Sequence, residues 1–240
     1  MRANAEANLA RAIVMHRALL AFAVALAGCT GEPPLAVKPL PPLVAPAPPP
    51  AQVEVHEIVV RELGLASGEH WIWEVRVRGF SIGRAELVVG DQRVESRFRT
   101  GALASAVAHV AHDLVTTIDH ATARPSSANE RIDTEGKLRQ FTTQYAGTTS
   151  HSFHTALGAI RVWARTGAPA GFLHVTHADQ VFRLELAAPV TRHGMLRVDG
   201  KVLGDDVDLA LTLWLDAAHR PKRIEIRDGG ERVTAELISG

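Results

Sequence analysis

Apolar and polar positions alternate over much of the chain. Trp71, Trp73, Val75 and Val77 fall on one side of an extended segment, and Glu74, Arg76 and Arg78 fall on the other with Ile72. A period of two predicts a half-buried strand. Gly79-Phe80-Ser81-Ile82-Gly83 then predicts a break. Ala85, Leu87 and Val89 mark a second strand, Gly90-Asp91 a turn, and 92–100 a third strand. Three adjacent strands with short turns predict an antiparallel meander. The alanine-rich run 102–111 favours a short helix over a flat strand. Residues 114–119 are strand-like, 124–127 read as a loop, and 131–133 with 137–145 read as a hairpin across Glu135-Gly136.

The longest helical spacing lies at 154–165. Leu157, Ile160, Val162 and Trp163 recur there with Ala156 and Ala159, and Gly167 and Pro169 stop it. Beyond it the pattern is β to the end. Strands are expected at 172–177, 181–187 and 195–202, and on the alternating face Val207, Leu209, Leu211, Leu213 and Leu215. Segments 223–227 and 232–238 close the chain across Asp228-Gly229-Gly230, a hairpin turn. The expected fold is mainly β: a single, strongly curved antiparallel sheet with one main helix and a second, short one.

The first fifty residues follow another pattern. Ala18 to Ala27 is an apolar run of about ten residues, too short to span a bilayer and of the length of a signal-peptide core. Arg17 and His16 flank it, and Leu26-Ala27-Gly28-Cys29 ends it with the sole cysteine of the chain. This stretch resembles the lipobox of bacterial lipoprotein signals. The resemblance implies a diacylglycerol on the Cys29 thiol, cleavage before Cys29 and acylation of the new N-terminus. Two or three acyl chains would anchor the protein stably, where one is marginal. Met1 and Met15 are both candidate starts, since 1–14 contain Glu6 and no strong positive cluster. Thr30 stands where, in the sorting rule this resembles, Asp retains a lipoprotein in the inner membrane. Its presence implies the periplasmic face of the outer membrane.

Nine of the thirteen prolines lie between Gly31 and Pro50. Proline fixes φ and lacks an amide donor, so this stretch predicts an extended spacer and neither sheet nor helix. The expected organisation is therefore a signal at 1–28, a lipidated cysteine and linker at 29–52, and a β domain at 53–240. That domain is long enough for a sizeable core and has no cysteine to staple it.

Several stretches of this part resemble the domain-of-unknown-function family 3108 (DUF3108). They are Gly68-Glu69-His70-Trp71 through Gly79-Phe80-Ser81-Ile82-Gly83-Arg84-Ala85, then Ile118-Asp119 with Pro125, and Glu135-Gly136-Lys137. Leu213-Trp214-Leu215-Asp216 with Arg220-Pro221-Lys222-Arg223-Ile224 completes them. The helix begins His154-Thr155-Ala156-Leu157, where an acidic residue is common in that family. The resemblance implies a secreted, strongly curved antiparallel half-barrel or spiral and no established activity. Its shape is similar to the LolA/LolB group of lipid-carrying envelope proteins, an analogy of fold alone.

Charge and motifs narrow the chemistry. Lys+Arg and Asp+Glu are both 26, so no basic field gathers phosphates, and nucleic acid is not an expected partner. Gly79-Phe80-Ser81-Ile82-Gly83 matches the G-x-S-x-G nucleophile elbow, but an elbow needs a helix after it and the pattern here predicts a strand. Twelve histidines include three pairs spaced H-x-x-H: His109/His112, His151/His154 and His174/His177. Only His109/His112 falls in a predicted helix, where positions i and i+3 share a face and can chelate. The expectation is no metal site. Gly204-Asp205-Asp206-Val207-Asp208 lacks calcium-loop spacing and reads as a turn. No phosphate loop or redox cysteine pair is present, so no cofactor is expected.

The leading expectation is a non-enzymatic envelope lipoprotein, held to the membrane by its N-terminal lipid, that binds an apolar ligand or an envelope component. Trp73, Val75, Trp163 and Leu211 are the expected lining of an apolar groove between sheet and helix. Two alternatives stay open: a scaffold lipoprotein with no ligand, and a serine hydrolase using Ser81.

Overall fold

The structure, a computed structural model, describes residues 55–240 apart from His120 and Asp206. The signal, Cys29 and the spacer lie outside the described residues. Within them the chain forms fourteen strands in one sheet and two helices. In chain order these are β1 (His56–Glu57), β2 (His70–Val77), β3 (Phe80–Val89), β4 (Arg93–Thr100), α1 (Ala102–Ser105), β5 (Val110–Asp119), β6 (Arg124–Thr134) and β7 (Lys137–Gln144). There follow α2 (Phe153–Arg165), β8 (Gly171–His177), β9 (Gln180–Leu186), β10 (Val190–Arg192), β11 (Met195–Gly204), β12 (Val207–Leu215), β13 (Pro221–Asp228) and β14 (Glu231–Ser239). The sheet runs β1-β8-β9-β11-β12-β13-β14-β2-β3-β4-β5-β6-β7, with β10 paired to β11 off this path. All pairings between these strands are antiparallel except the short contact of β1 with β8, and His151 adds one isolated parallel bridge to Val175 of β8. The sheet is not closed: β7 and β1 do not pair. Among the described residues no helix is long and apolar enough to cross a membrane.

The alternation sets the inner face. On β2, Trp71, Trp73, Val75 and Val77 are buried, and on β12 Leu209, Leu211, Leu213 and Leu215 are buried. Helix α2 lies against this face. Ala156, Ala159, Ile160, Trp163 and Ala164 pack with Leu173, Leu186, Val198 and Leu215 in one core cluster. A second cluster gathers Leu65, Trp71, Trp73, Leu87, Val94 and Ile118, and Leu157 of the helix packs against both. One helix thus fills the gap between the two arms of a curved sheet. Ser152 caps it in a reciprocal box, accepting from the Thr155 amide at 3.3 Å while Thr155 Oγ1 accepts from the Ser152 amide at 3.1 Å. Gly167, at φ +65°, ends it in the left-handed conformation that follows many helices.

Four expected boundaries change. The break after β2 is only Arg78-Gly79, both at positive φ as a tight hairpin requires. Gly83 is no turn residue; it lies inside β3, where a Cβ would stand 2.2 Å from the Arg99 carbonyl of β4. The helix expected at 102–111 shrinks to α1, and Val110 and Ala111 belong to β5, because pairing with β4 and β6 outweighs alanine's helix preference. The loop expected at 124–127 is the start of β6. Pro125 is tolerated there because the β5–β6 register shifts between Thr117 and Ile118, the kind of irregularity where a missing amide does little harm.

Candidate functional site

The densest group of buried polar side chains lies where the two arms of the sheet meet. β8 is the second strand of the path and β6 the twelfth, so backbone pairing never brings them together. Side chains do. His112 of β5 and Glu130 of β6 share one face, since the β5–β6 register pairs His112 with Ile132 and Leu114 with Glu130. The β8–β9 turn, His177 to Gln180, reaches across to them. His112 Nε2 lies 2.6 Å from Glu130 Oε1 in a hydrogen bond. His177 Nδ1 lies 2.7 Å from the same oxygen. In that second contact the buried Nδ1 stands off the straight line of a good hydrogen bond, although it is close enough to act on the carboxylate. The Ala178 amide donates to Glu130 Oε2 at 2.7 Å, and Thr143 of β7 donates to the Ala178 carbonyl at 3.2 Å.

The carboxylate is almost sealed, with 6 % of its side chain exposed. Burial by itself would raise the Glu130 pKa, yet His112 and His177 close against it outweigh burial and hold the carboxyl well below its usual range. The His177 ring packs on Phe153 at 5.1 Å between centroids and meets the His112 ring edge-on at 5.9 Å. His112 is the more open of the pair, with 20 % of its side chain exposed.

Beside this group runs a buried chain of hydroxyls and imidazoles. Ser96 and Thr116 bond the two nitrogens of His154, each at 2.9 Å, and Thr116 donates on to Ser152 at 3.1 Å. A neutral imidazole satisfies this arrangement: Nδ1 donates to Thr116 and Nε2 accepts from Ser96. Burial pushes the His154 pKa down to about 3, with the nearby His112 adding to it. Burial also lowers His151 to about 4, helped by Arg124, whose guanidinium donates to its Nε2 at 2.8 Å.

The three histidine pairs come apart. His109 stands exposed before β5, and His112 lies on β5 itself, so no helix carries the two. His151 and His154 flank the helix cap, and both are buried. Of His174 and His177, both on β8, only His177 joins the group. The donor atoms of His112, Glu130 and His177 all lie within 4.8 Å of one another, one member from each of two pairs and a glutamate outside any motif.

The expected groove residues do not assemble. Trp163 and Leu211 belong to the first core cluster, Trp73 to the second and Val75 to a third with Val77, Phe98 and Val110. All four are buried, Val75 completely. Trp73 meets its polar need by donating to the Pro221 carbonyl at 2.8 Å. Of the four, Trp163 also borders an open depression of about 680 Å³, lined by Ile58, Val60, Val162, Ala168 and Pro169 among others. Ser81 is exposed within β3, hydrogen-bonded to Glu74, and strand continues through Val89, so the helix an elbow needs is missing.

No protein-family model matches the chain. No curated protein matches it. Among solved structures, a crystal structure of a beta-barrel-like protein of the domain of unknown function DUF1849 from Brucella abortus is similar. It shares 10 % identity and a TM-score of 0.48, over 71 % of this chain and 95 % of that one.

Proposed function

We infer that the protein is a lipid-anchored, non-catalytic envelope lipoprotein whose β domain serves as a structural or interaction module held off the membrane by its spacer. The observation that carries the anchor is the lipobox Leu26-Ala27-Gly28-Cys29 directly before a stretch with nine prolines. The module reading is supported by the burial of Trp73, Val75, Trp163 and Leu211 in separate packed clusters, which leaves those side chains no shared opening for a ligand. Cys29→Ser should abolish incorporation of labelled palmitate and leave the precursor uncleaved. Label incorporated at the wild-type level overturns the anchor.

One observation favours a second reading, that of an apolar-ligand carrier: the depression beside Trp163 carries Ile58, Val60 and Val162 in its lining, next to Glu57, Arg61 and Glu62. Native mass spectrometry of the full-length Cys29→Ser protein separates the two, because that protein carries no acyl chain of its own. Co-purified lipid, or a fluorescent fatty acid bound at micromolar concentration, favours the carrier; neither favours the module.

A further inference from the structure

We propose that His112, Glu130 and His177 form a binding site for one divalent transition-metal ion that clasps the two arms of the sheet together. Three features of the group point to a cation.

The first is charge. The Glu130 carboxylate is buried, and its partners are two imidazoles and one amide; no lysine or arginine contacts it among the described residues. A buried carboxylate without a cation is costly. The second is the His177 contact. A neutral Nδ1 lone pair and a carboxylate oxygen are both acceptors, and at 2.7 Å they repel unless a proton or a metal stands between them. A proton on Nδ1 would stand off the line to the carboxylate oxygen and bridge the two atoms only poorly. A metal bound to both atoms does not need one. The third is the support around the donors. The Ala178 amide fixes the far oxygen of Glu130 and Phe153 holds the plane of His177, as outer groups orient metal ligands.

The donor set selects the metal. Two imidazoles and one carboxylate suit zinc and its first-row neighbours, whereas calcium and magnesium require mostly oxygen. Bonds of about 2.0–2.1 Å at tetrahedral angles set neighbouring donors about 3.3 Å apart. The present separations of 2.6 and 2.7 Å therefore require the carboxylate to draw back by about 0.6 Å, a small side-chain movement. The partly exposed side of His112 gives the ion a way in and leaves room for a water as fourth ligand.

The test uses the full-length protein in detergent, stripped with chelator and dialysed against zinc. One zinc per chain is expected. His112→Asn and His177→Asn should each weaken zinc binding by about tenfold or more, while His109→Asn, outside the group, leaves it unchanged. X-ray absorption of the zinc-loaded wild type should show two imidazoles with oxygen ligands, a readout that needs no variant to fold. Absence of bound zinc, binding unaffected by both cluster variants, or a different imidazole count each overturns the proposal. In the first case the group is a hydrogen-bonded latch alone.

Discussion

Arg161 of helix α2 grips Glu69, just before β2, with both ends of its guanidinium. Nη1 meets Oε2 at 2.9 Å, Nη2 meets Oε1 at 3.0 Å, and Nε donates to the His219 carbonyl at 2.8 Å. The same group lies 4.8 Å over the ring of Trp71. One side chain thereby ties the helix to the start of β2 and to the β12–β13 turn. Lysine cannot reproduce a planar fork or its stacking. Arg161→Lys should lower stability by about 2 kcal/mol in urea unfolding, with the slope unchanged. Combined with Glu69→Gln, the two losses should add to less than their sum; full additivity would show that the pair is not coupled.

The buried histidines set an acid limit. His154 is held near 3 and His151 near 4 in the folded protein, against an ordinary 6.5 when unfolded. Above about pH 6.5 both states are neutral and neither group matters. Below it the unfolded chain takes up protons that the folded chain refuses, so stability falls with pH. Each group contributes a slope of up to about 1.4 kcal/mol per pH unit, lost for His151 near pH 4 and for His154 near pH 3. Glu130, held low instead, withdraws its contribution only below its ordinary 4.5. The window from about 4.5 to 6.5 therefore reads the histidines. His154→Gln should roughly halve the slope there, measured by urea unfolding across that range; an unchanged slope would sink the assignment.

Gly158 lies in the middle of α2, where alanine ordinarily gains about 1 kcal/mol. Here the gain should reverse. A Cβ at Gly158 would stand 1.9 Å from the Leu63 carbonyl, and one at Gly64, at φ +67°, would stand 2.3 Å from the Gly158 carbonyl. Segment 63–65 and the helix touch backbone to backbone, and backbone cannot yield as a side-chain tip can. Gly158→Ala should cost about 2 kcal/mol net, seen as a lower melting temperature. A variant as stable as wild type would mean that this segment moves aside freely.

The strands with a clean period of two, β2 and β12, were legible because each has one wet and one dry face. β6 was not. Pro125, Ser126, Ser127 and Asn129 carry turn composition, and only pairing with β5 and β7 makes them strand. The histidine group was illegible for another reason. A spacing search finds donors within one turn or one strand, whereas His112, Glu130 and His177 come from strands at opposite ends of the sheet and meet only because it curves. Ser152 was legible as an N-cap ahead of an apolar run, but the reciprocal box was not, because Thr155 stands at the position where the usual signature has Glu or Gln. The expected groove between sheet and helix is closed because α2 packs directly on the sheet: Trp163 and Leu211 share one core cluster, Trp73 lies in another, and Leu157 packs on both.

The last of the described strands, β14, stands seventh of thirteen along the sheet, between β13 and β2. Val233 pairs with Val77 and Leu237 with Trp73, residues separated by most of the domain's length. Each arm, β2 to β7 and β8 to β13, is a run of mostly neighbouring hairpins that can form early and locally. Their union waits for residues 231–239. A chain emerging from a ribosome or a translocation pore must hold two half-sheets with raw edges until residues 231–239 arrive. Loss of β14 would leave β2 and β13 as open templates for other chains, so this protein's exposure to aggregation is concentrated on the two edges that one strand covers.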